Sequence, residues 1–466
     1  MTDWKERLQD GRRVWYGGEL VTRIAEHHAF RGTVETIGKL LEMQRGAWKR
    51  ELTRDGAHLS FLVPATLDDL RCKARAYQIW ADATFGMMSR LSEYSREIET
   101  GWYANRKELA AVIPHFEAKM ERIYRNSRDR DLLSTAAAQD LQRNRSRSSV
   151  EVDAGQLRVV KKTAEGVIVR GAKTVATAAP YVDEFIITSF YKRSEAQRAL
   201  ANVFIIPANL PGVHIVCRES FASDDAVHAP LSARYDEMDA VLIFEDALIP
   251  WDLVLVAEDP EAAWKLHTDP VAVALSQHQT VVRLISKLRS VAAIAYGLAK
   301  SADVTGFLHV RNDLANLILQ VETIEALLGT AQQTGDWHNG VFIPNRLYLG
   351  TARNLGTRFY AEGIAAIHRI GASGLLQAPA SLKELDVHPE WREYFAASDG
   401  FDGTRRTLLN KLAWDFAGSS LGSRHELYER FYAGDPVRNF ASYYNQHPKR
   451  QAYVEFALSI LREENR

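Results

Sequence analysis

From about residue 25 to 135, apolar side chains recur every three or four positions and Gly or Pro seldom interrupts them, a spacing that predicts helices. Between Leu67 and Met88, the residues Leu70, Ala74, Tyr77, Ala81 and Phe85 make one stripe, read as core packing. The polar run RNRSRSSVEVD at 143–153 ends that texture. From Leu157 to about Leu255 the pattern becomes short β-branched bursts between turn residues, among them GVIVRG, DEFIITSFY, NVFIIPA and AVLIFEDALIP. This predicts an antiparallel barrel or sandwich rather than βαβ units. No GxGxxG joins a strand to a helix, so a Rossmann dinucleotide domain is not predicted. Near 275 the helical period returns. Phe307, Val310, Leu314, Leu317, Val321, Ile324 and Leu328 step by three or four, as in a bundle helix. The expected architecture is α+β: an N-terminal helical domain over 1–142, a middle antiparallel β domain over 143–272 and a C-terminal helical bundle over 273–466.

Composition narrows the classes. With 58 Lys+Arg against 59 Asp+Glu the formal charge is −1, which argues against bulk electrostatic binding to nucleic acid or an anionic membrane. A 46% hydrophobic and 25% charged make-up is that of a globular chain. Cys72 and Cys217 are too few for a thiolate iron–sulfur cluster and have no metal-site spacing, so no metal is expected. The N-terminus lacks a secretory apolar core and no run resembles a membrane span, so the expected location is cytoplasmic.

The order helices, β module, bundle is shared by acyl-CoA dehydrogenases, in which the flavin lies between the β domain and the bundle. Six segments carry a narrower resemblance: DGRRVWYGGEL near the start, FGMMSRLSEY at 85–94, GAKTVATAAPYVDEFII at 171–187, SARYDEMDAVLIFEDALIPWDLVLV at 232–256, RIGASGLLQAP at 369–379 and LGSRHELYERFYAGDPVR at 421–438. In this order they resemble the 4-hydroxyphenylacetate 3-monooxygenase oxygenase-component family of two-component aromatic hydroxylases. The resemblance implies FAD, taken as FADH2 from a separate flavin reductase, with O2 as cosubstrate. It further implies a C4a-hydroperoxyflavin that hydroxylates a small phenol-like, aniline or indole substrate, and a homotetramer built as a dimer of dimers.

Site residues follow from the same likeness. Arg90 and Tyr94 match a catalytic, substrate-orienting pair; their spacing of four puts a guanidinium and a phenol on one helical face. Gln142 and Arg145 match flavin-contacting positions. Thr177 matches a threonine near the flavin N5, and Ser189 and Phe190 match substrate-lining positions. Gly422, Ser423, Arg424 and His425 open a helix-like segment whose N–H groups and arginine suit an anion, so the resemblance gives them the flavin pyrophosphate or adenine end.

One family feature is missing. The family pattern Thr-His-x-x-x-x-Pro-Gln-x-x-Arg, whose His helps deprotonate the substrate hydroxyl, becomes Thr135-Ala136-Ala137-Ala138-Gln139-Asp140-Leu141-Gln142-Arg143-Asn144-Arg145. Ala136 stands at the His. A base of that kind contributes about 10²–10⁴-fold, so the substrate needs another base, for which His115 and His58 are candidates, or needs no deprotonation. The latter leaves open an N-oxygenase, a dehalogenating monooxygenase or a biosynthetic oxidase. Asp236, Glu237 and Asp239 read as turn or ion-pair residues.

Overall fold

The computed structural model describes residues 4–88, 91–141, 155–397 and 400–463. The N-terminal part holds strands β1 (Arg13–Tyr16) and β2 (Glu19–Val21), then helices α1 (Arg31–Arg45), α2 (Leu67–Ala83), α3 (Glu93–Ala104) and α4 (Phe116–Arg130). Strands β3 (Ser134–Ala137), β4 (Gln139–Asp140), β5 (Arg158–Lys162), β6 (Gly166–Thr177), β7 (Glu184–Ile187), β8 (Val203–Pro207), β9 (Val213–Cys217), β10 (Asp239–Pro250) and β11 (Val254–Val256) follow. The C-terminal part comprises α5 (Pro260–His267), α6 (Pro270–Ser301), α7 (Leu308–Gln333), α8 (Arg346–Gly371), α9 (Gly403–Ala417), α10 (Ser420–Phe431), α11 (Pro436–Gln446) and α12 (Arg450–Glu463).

Helix α2 begins where Thr66 and Asp69 form a reciprocal capping box. Its stripe is buried at Leu70, Tyr77 and Ala81, but Phe85 is exposed, because the helix stops at Ala83 and Phe85 takes a left-handed φ of 53°. Phe307 is likewise exposed, at the N-cap of α7, while Val310, Leu314, Leu317 and Ile324 are buried as the period predicts. By length and composition α7 is the one helix among the described residues able to cross a membrane; it packs on α6 and α8 in the bundle.

The middle strands form two sheets, with no closed barrel among the described residues. The larger runs β2-β1-β9-β10-β6-β4, with β5 on β6, and the smaller runs β11-β8-β7-β3. Most pairs are antiparallel, but β1 pairs β9 and β3 pairs β7 in parallel, so the N-terminal segment contributes strands to both sheets. Helix α6, with most of its residues buried, is the axis of the bundle. Gly101 lets α3 touch it: a Cβ there would lie 2.2 Å from Ala272 Cα. That contact brings the polar start of α3 to the junction of the sheets and the bundle.

Candidate active site

Four chain segments converge at β3. The Ser134 N–H donates to Ser92 Oγ at 3.1 Å, joining β3 to the residue before α3. Thr135 Oγ1 donates to the Thr177 carbonyl at 2.7 Å, joining it to the end of β6. The Thr188 N–H donates to the Ala137 carbonyl at 3.2 Å, placing the loop after β7 beside it. Tyr94, half-buried in the first turn of α3, therefore shares this junction with Thr177 and with the loop of Ser189 and Phe190. Arg90, Gln142 and Arg145 lie outside the described residues.

The loop after β7 is clamped from below. Asp140 on β4 accepts from Lys173 Nζ on β6 at 2.8 Å and pairs with Arg193 beyond Phe190. Burial alone would raise the Asp140 carboxyl, but the charges of Lys173 and Arg193 hold it below its ordinary value. Ser189 Oγ donates to the Tyr191 carbonyl at 3.3 Å, and the Phe190 ring meets His267 edge-on at 5.7 Å. Glu93, beside Tyr94, has its carboxyl pushed up to about 7 by burial.

Thr177 and helix α10 meet through one carboxylate. Thr177 Oγ1 donates to Asp239 Oδ1 at 2.7 Å, while Arg424 donates Nη2 to the same oxygen at 2.7 Å and Nε to Oδ2 at 2.9 Å. Arg218 adds Nε to Oδ2 at 3.0 Å and pairs with Asp236 at 2.6 Å. Glu237 lies 3.5 Å from Arg424. The acidic run is thus ion-paired, as its sequence suggested, but Asp239 also connects two of the expected flavin residues. The guanidinium of Arg424 is bidentate on this carboxylate.

The rest of the 422–425 segment divides. The helix opens at Ser420, with Ser419 capping the Gly422 N–H, so these four residues lie inside its first turns. A Cβ on Gly422 would lie 2.7 Å from the Phe416 carbonyl oxygen, which makes this glycine necessary for α10 to fold back on α9. Ser423 is exposed. His425 is buried, its Nδ1 3.3 Å from Lys287 Nζ, and that lysine sits over the rings of Tyr360 and Phe416 at 5.3 Å each. Burial pushes Lys287 down to about 7 and His425 well below its ordinary value.

Neither expected replacement base reaches the junction. His58 is buried against Trp80, with ring centroids 4.4 Å apart, and its Nδ1 accepts from the Ser60 N–H. His115 is an exposed N-cap of α4. Ala136 packs its methyl against an apolar cluster that includes Ala262 and Leu266 of α5. The imidazole that touches Phe190 is His267, at the end of α5, a residue that no sequence motif marks.

The residues present fit a flavin. The Thr188 hydroxyl and His425 Nε2 are buried without a hydrogen-bond partner among the described residues, so both the β edge and the bundle hold polar groups in reserve for a polar heteroaromatic ligand.

Helical domain, paired sheets and bundle meeting at one polar junction define an acyl-CoA dehydrogenase-like flavoenzyme. Residues 1–256 match the family model described as 4-hydroxyphenylacetate 3-hydroxylase N terminal, and residues 268–461 the corresponding C-terminal model. The chain therefore belongs to the 4-hydroxyphenylacetate 3-hydroxylase family, as an FAD-dependent monooxygenase oxygenase component using O2. It is 33% identical over 465 residues to the 4-hydroxyphenylacetate 3-monooxygenase oxygenase component of Thermus thermophilus, covering 97% of this chain and 94% of that protein. It is 29% identical over 452 residues to a Streptomyces globisporus monooxygenase of a (3S)-3-amino-3-(3-chloro-4-hydroxyphenyl)propanoyl group on a peptidyl-carrier protein, covering 93% and 84%. A crystal structure of the oxygenase component of 4-hydroxyphenylacetate 3-monooxygenase with FAD and 4-hydroxyphenylacetate superposes with a TM-score of 0.93 at 32% identity, covering 99% of this chain and 98% of that one.

Proposed function

We propose that this oxygenase takes FADH2 from a separate reductase and hydroxylates a small phenol. The observation that carries the reading is the convergence of Tyr94, Thr177, Ser189 and Phe190 around β3 through the three hydrogen bonds at Ser134, Thr135 and Thr188. When bound, FADH2 would supply the two electrons that activate O2, one of whose oxygen atoms goes to the ring while the other leaves as water. The chain's own residues hold and orient. Arg90 and Tyr94 would bind the substrate's polar group, a permanent cation and a phenol suited to a phenolate. Ser189 and Phe190 line the ring. Thr177 would meet the flavin's reactive edge, Gln142 and Arg145 would hold the flavin, and Gly422, Ser423, Arg424 and His425 would hold it from the bundle side, with Arg424 tied to Thr177 through Asp239 and so beside the reactive edge rather than at the remote end. With Ala136 in place of the family His, His267 takes the substrate hydroxyl's hydrogen bond.

Self-assembly into a dimer of dimers belongs to the same reading. Helix α12 leaves Tyr453, Val454, Phe456, Leu458, Ile460 and Leu461 exposed, an apolar face that a second copy of the chain would cover.

The test is Arg90→Ala. Turnover of 4-hydroxyphenylacetate should fall far more than FADH2 affinity, measured by anaerobic titration; equal losses would contradict the assigned role.

A further inference from the structure

Asp239 takes hydrogen bonds from three side chains, and its environment fixes what it can do. Arg424 and Arg218 together donate to both of its oxygens. Burial alone would raise this carboxyl, but the charge of Arg424 above all holds it far below the ordinary carboxylate range. An ionised carboxylate only accepts hydrogen bonds. The Thr177 hydroxyl, 2.7 Å from Oδ1, must therefore commit its single proton to Asp239. Behind it, Thr135 holds the Thr177 carbonyl at 2.7 Å, so the end of β6 is pinned on its backbone as well.

A hydroxyl committed in this way keeps only lone pairs for a further partner. It can receive a hydrogen bond and cannot give one. The flavin ring changes character at the matching position: N5 carries a hydrogen when the isoalloxazine is reduced and a bare lone pair when it is oxidised. Lone pair facing N–H attracts, whereas lone pair facing lone pair repels.

We propose that Asp239 is a positioning residue which, by fixing Thr177 as a hydrogen-bond acceptor, makes the site select reduced over oxidised FAD. The proposal rests on the reading of Thr177 as the hydroxyl at the flavin's reactive edge. Such selection suits an oxygenase that captures FADH2 from solution and must release FAD after each turnover. It assigns a ligand-selecting role to a carboxylate whose sequence context reads as a strand-flanking ion pair.

The experiment compares dissociation constants for FAD and for FADH2 under anaerobic conditions in the full-length protein and its Thr177→Val, Thr177→Ser and Asp239→Asn variants, together with the midpoint potential of the bound flavin. The wild type should bind FADH2 more tightly than FAD. Thr177→Val should shrink that preference about tenfold, as for one lost hydrogen bond. The potential should fall correspondingly by about 30 mV for a two-electron couple. Thr177→Ser should retain the preference, and adding Asp239→Asn to Thr177→Val should change it no further, because the two act as one unit. A Thr177→Val protein that weakens both redox forms equally, or neither, overturns the proposal even if Asp239→Asn fails to fold. A wild type that binds FADH2 no more tightly than FAD also overturns it. A wild type that binds neither form overturns the proposed function along with it.

Discussion

Removing the Asp140 side chain tests how the loop bearing Ser189 and Phe190 is held. The carboxylate serves two cations, Lys173 and Arg193, whose side chains are only 3% and 6% exposed. Asp140→Ala leaves both charges enclosed without a counter-ion, and breaking a buried pair by deleting one partner costs about 3–5 kcal/mol. Lys173 has a way out that Arg193 lacks. Burial already lowers its ammonium below the ordinary value, and without Asp140 it sheds its proton more readily. A lysine whose folded-state value lies below its unfolded one binds fewer protons folded, so stability rises with pH across that interval. The variant should therefore lose about 3 kcal/mol or more at pH 7 by chemical denaturation and recover part of it by pH 9, whereas the wild type gains less. The loss of the Arg193 anchor should also loosen the loop bearing Ser189 and Phe190, raising KM for a phenolic substrate about tenfold or more while FADH2 affinity holds. Asp140→Ala/Lys173→Met should regain stability but not KM. A stability loss below about 1 kcal/mol with unchanged KM would mean that Asp140 neither balances the two buried cations nor holds the loop.

The buried Arg283–Glu429 pair, with a 3.0 Å contact between Nη2 and Oε2, joins α6 to α10; Arg283→Met alone should cost about 3–5 kcal/mol by denaturant titration, and Arg283→Met/Glu429→Leu far less. Glu99 is pushed up to about 8, by burial first and then by the charge of Glu184, and Glu184 to about 7, by burial first and then by the charge of Asp183. Folded-state carboxyls raised above about 4.5 hold protons that the unfolded chain has released, so wild-type stability should fall as pH rises from about 5 to 8, and Glu184→Gln should flatten that slope. His267→Ala should weaken binding of 4-hydroxyphenylacetate about fivefold to tenfold in an equilibrium titration and leave phenylacetate, which lacks the hydroxyl, unchanged; equal losses would make His267 a packing residue only.

Much of the helical plan was legible because burial on one face imposes a local period. Val310, Leu314, Leu317 and Ile324 behave as that period requires, and the failures at Phe85 and Phe307 fall where a helix ends and the rule lapses. Strands β1 and β3 were invisible. Their segments, RVWY and STAA, are short, and their parallel partners lie far along the chain, at His214–Val216 and Glu184–Ile187, so no nearby turn announces them. For the candidate site, the motifs singled out Thr177, Arg424 and His425 but could not show that Asp239 lies between the first two. Three acidic residues beside an apolar burst look alike in sequence; only the docking of α10 on β10 decides which of them meets Arg424. His267 was hidden for a similar reason, since a histidine at a helix end reads as a cap until Phe190 is seen against it.

We propose that this chain hydroxylates a phenol with reduced flavin delivered by another protein. The most direct measurement supplies the purified oxygenase with FADH2 from a separate reductase, 4-hydroxyphenylacetate and a small panel of other para-substituted phenols, and isotopically labelled O2, and follows label by mass spectrometry alongside hydrogen peroxide. The expected product is a catechol carrying a single labelled oxygen atom, formed only when all components are present. Release of the oxygen as hydrogen peroxide alone with every phenol, or incorporation of oxygen from water, would contradict it.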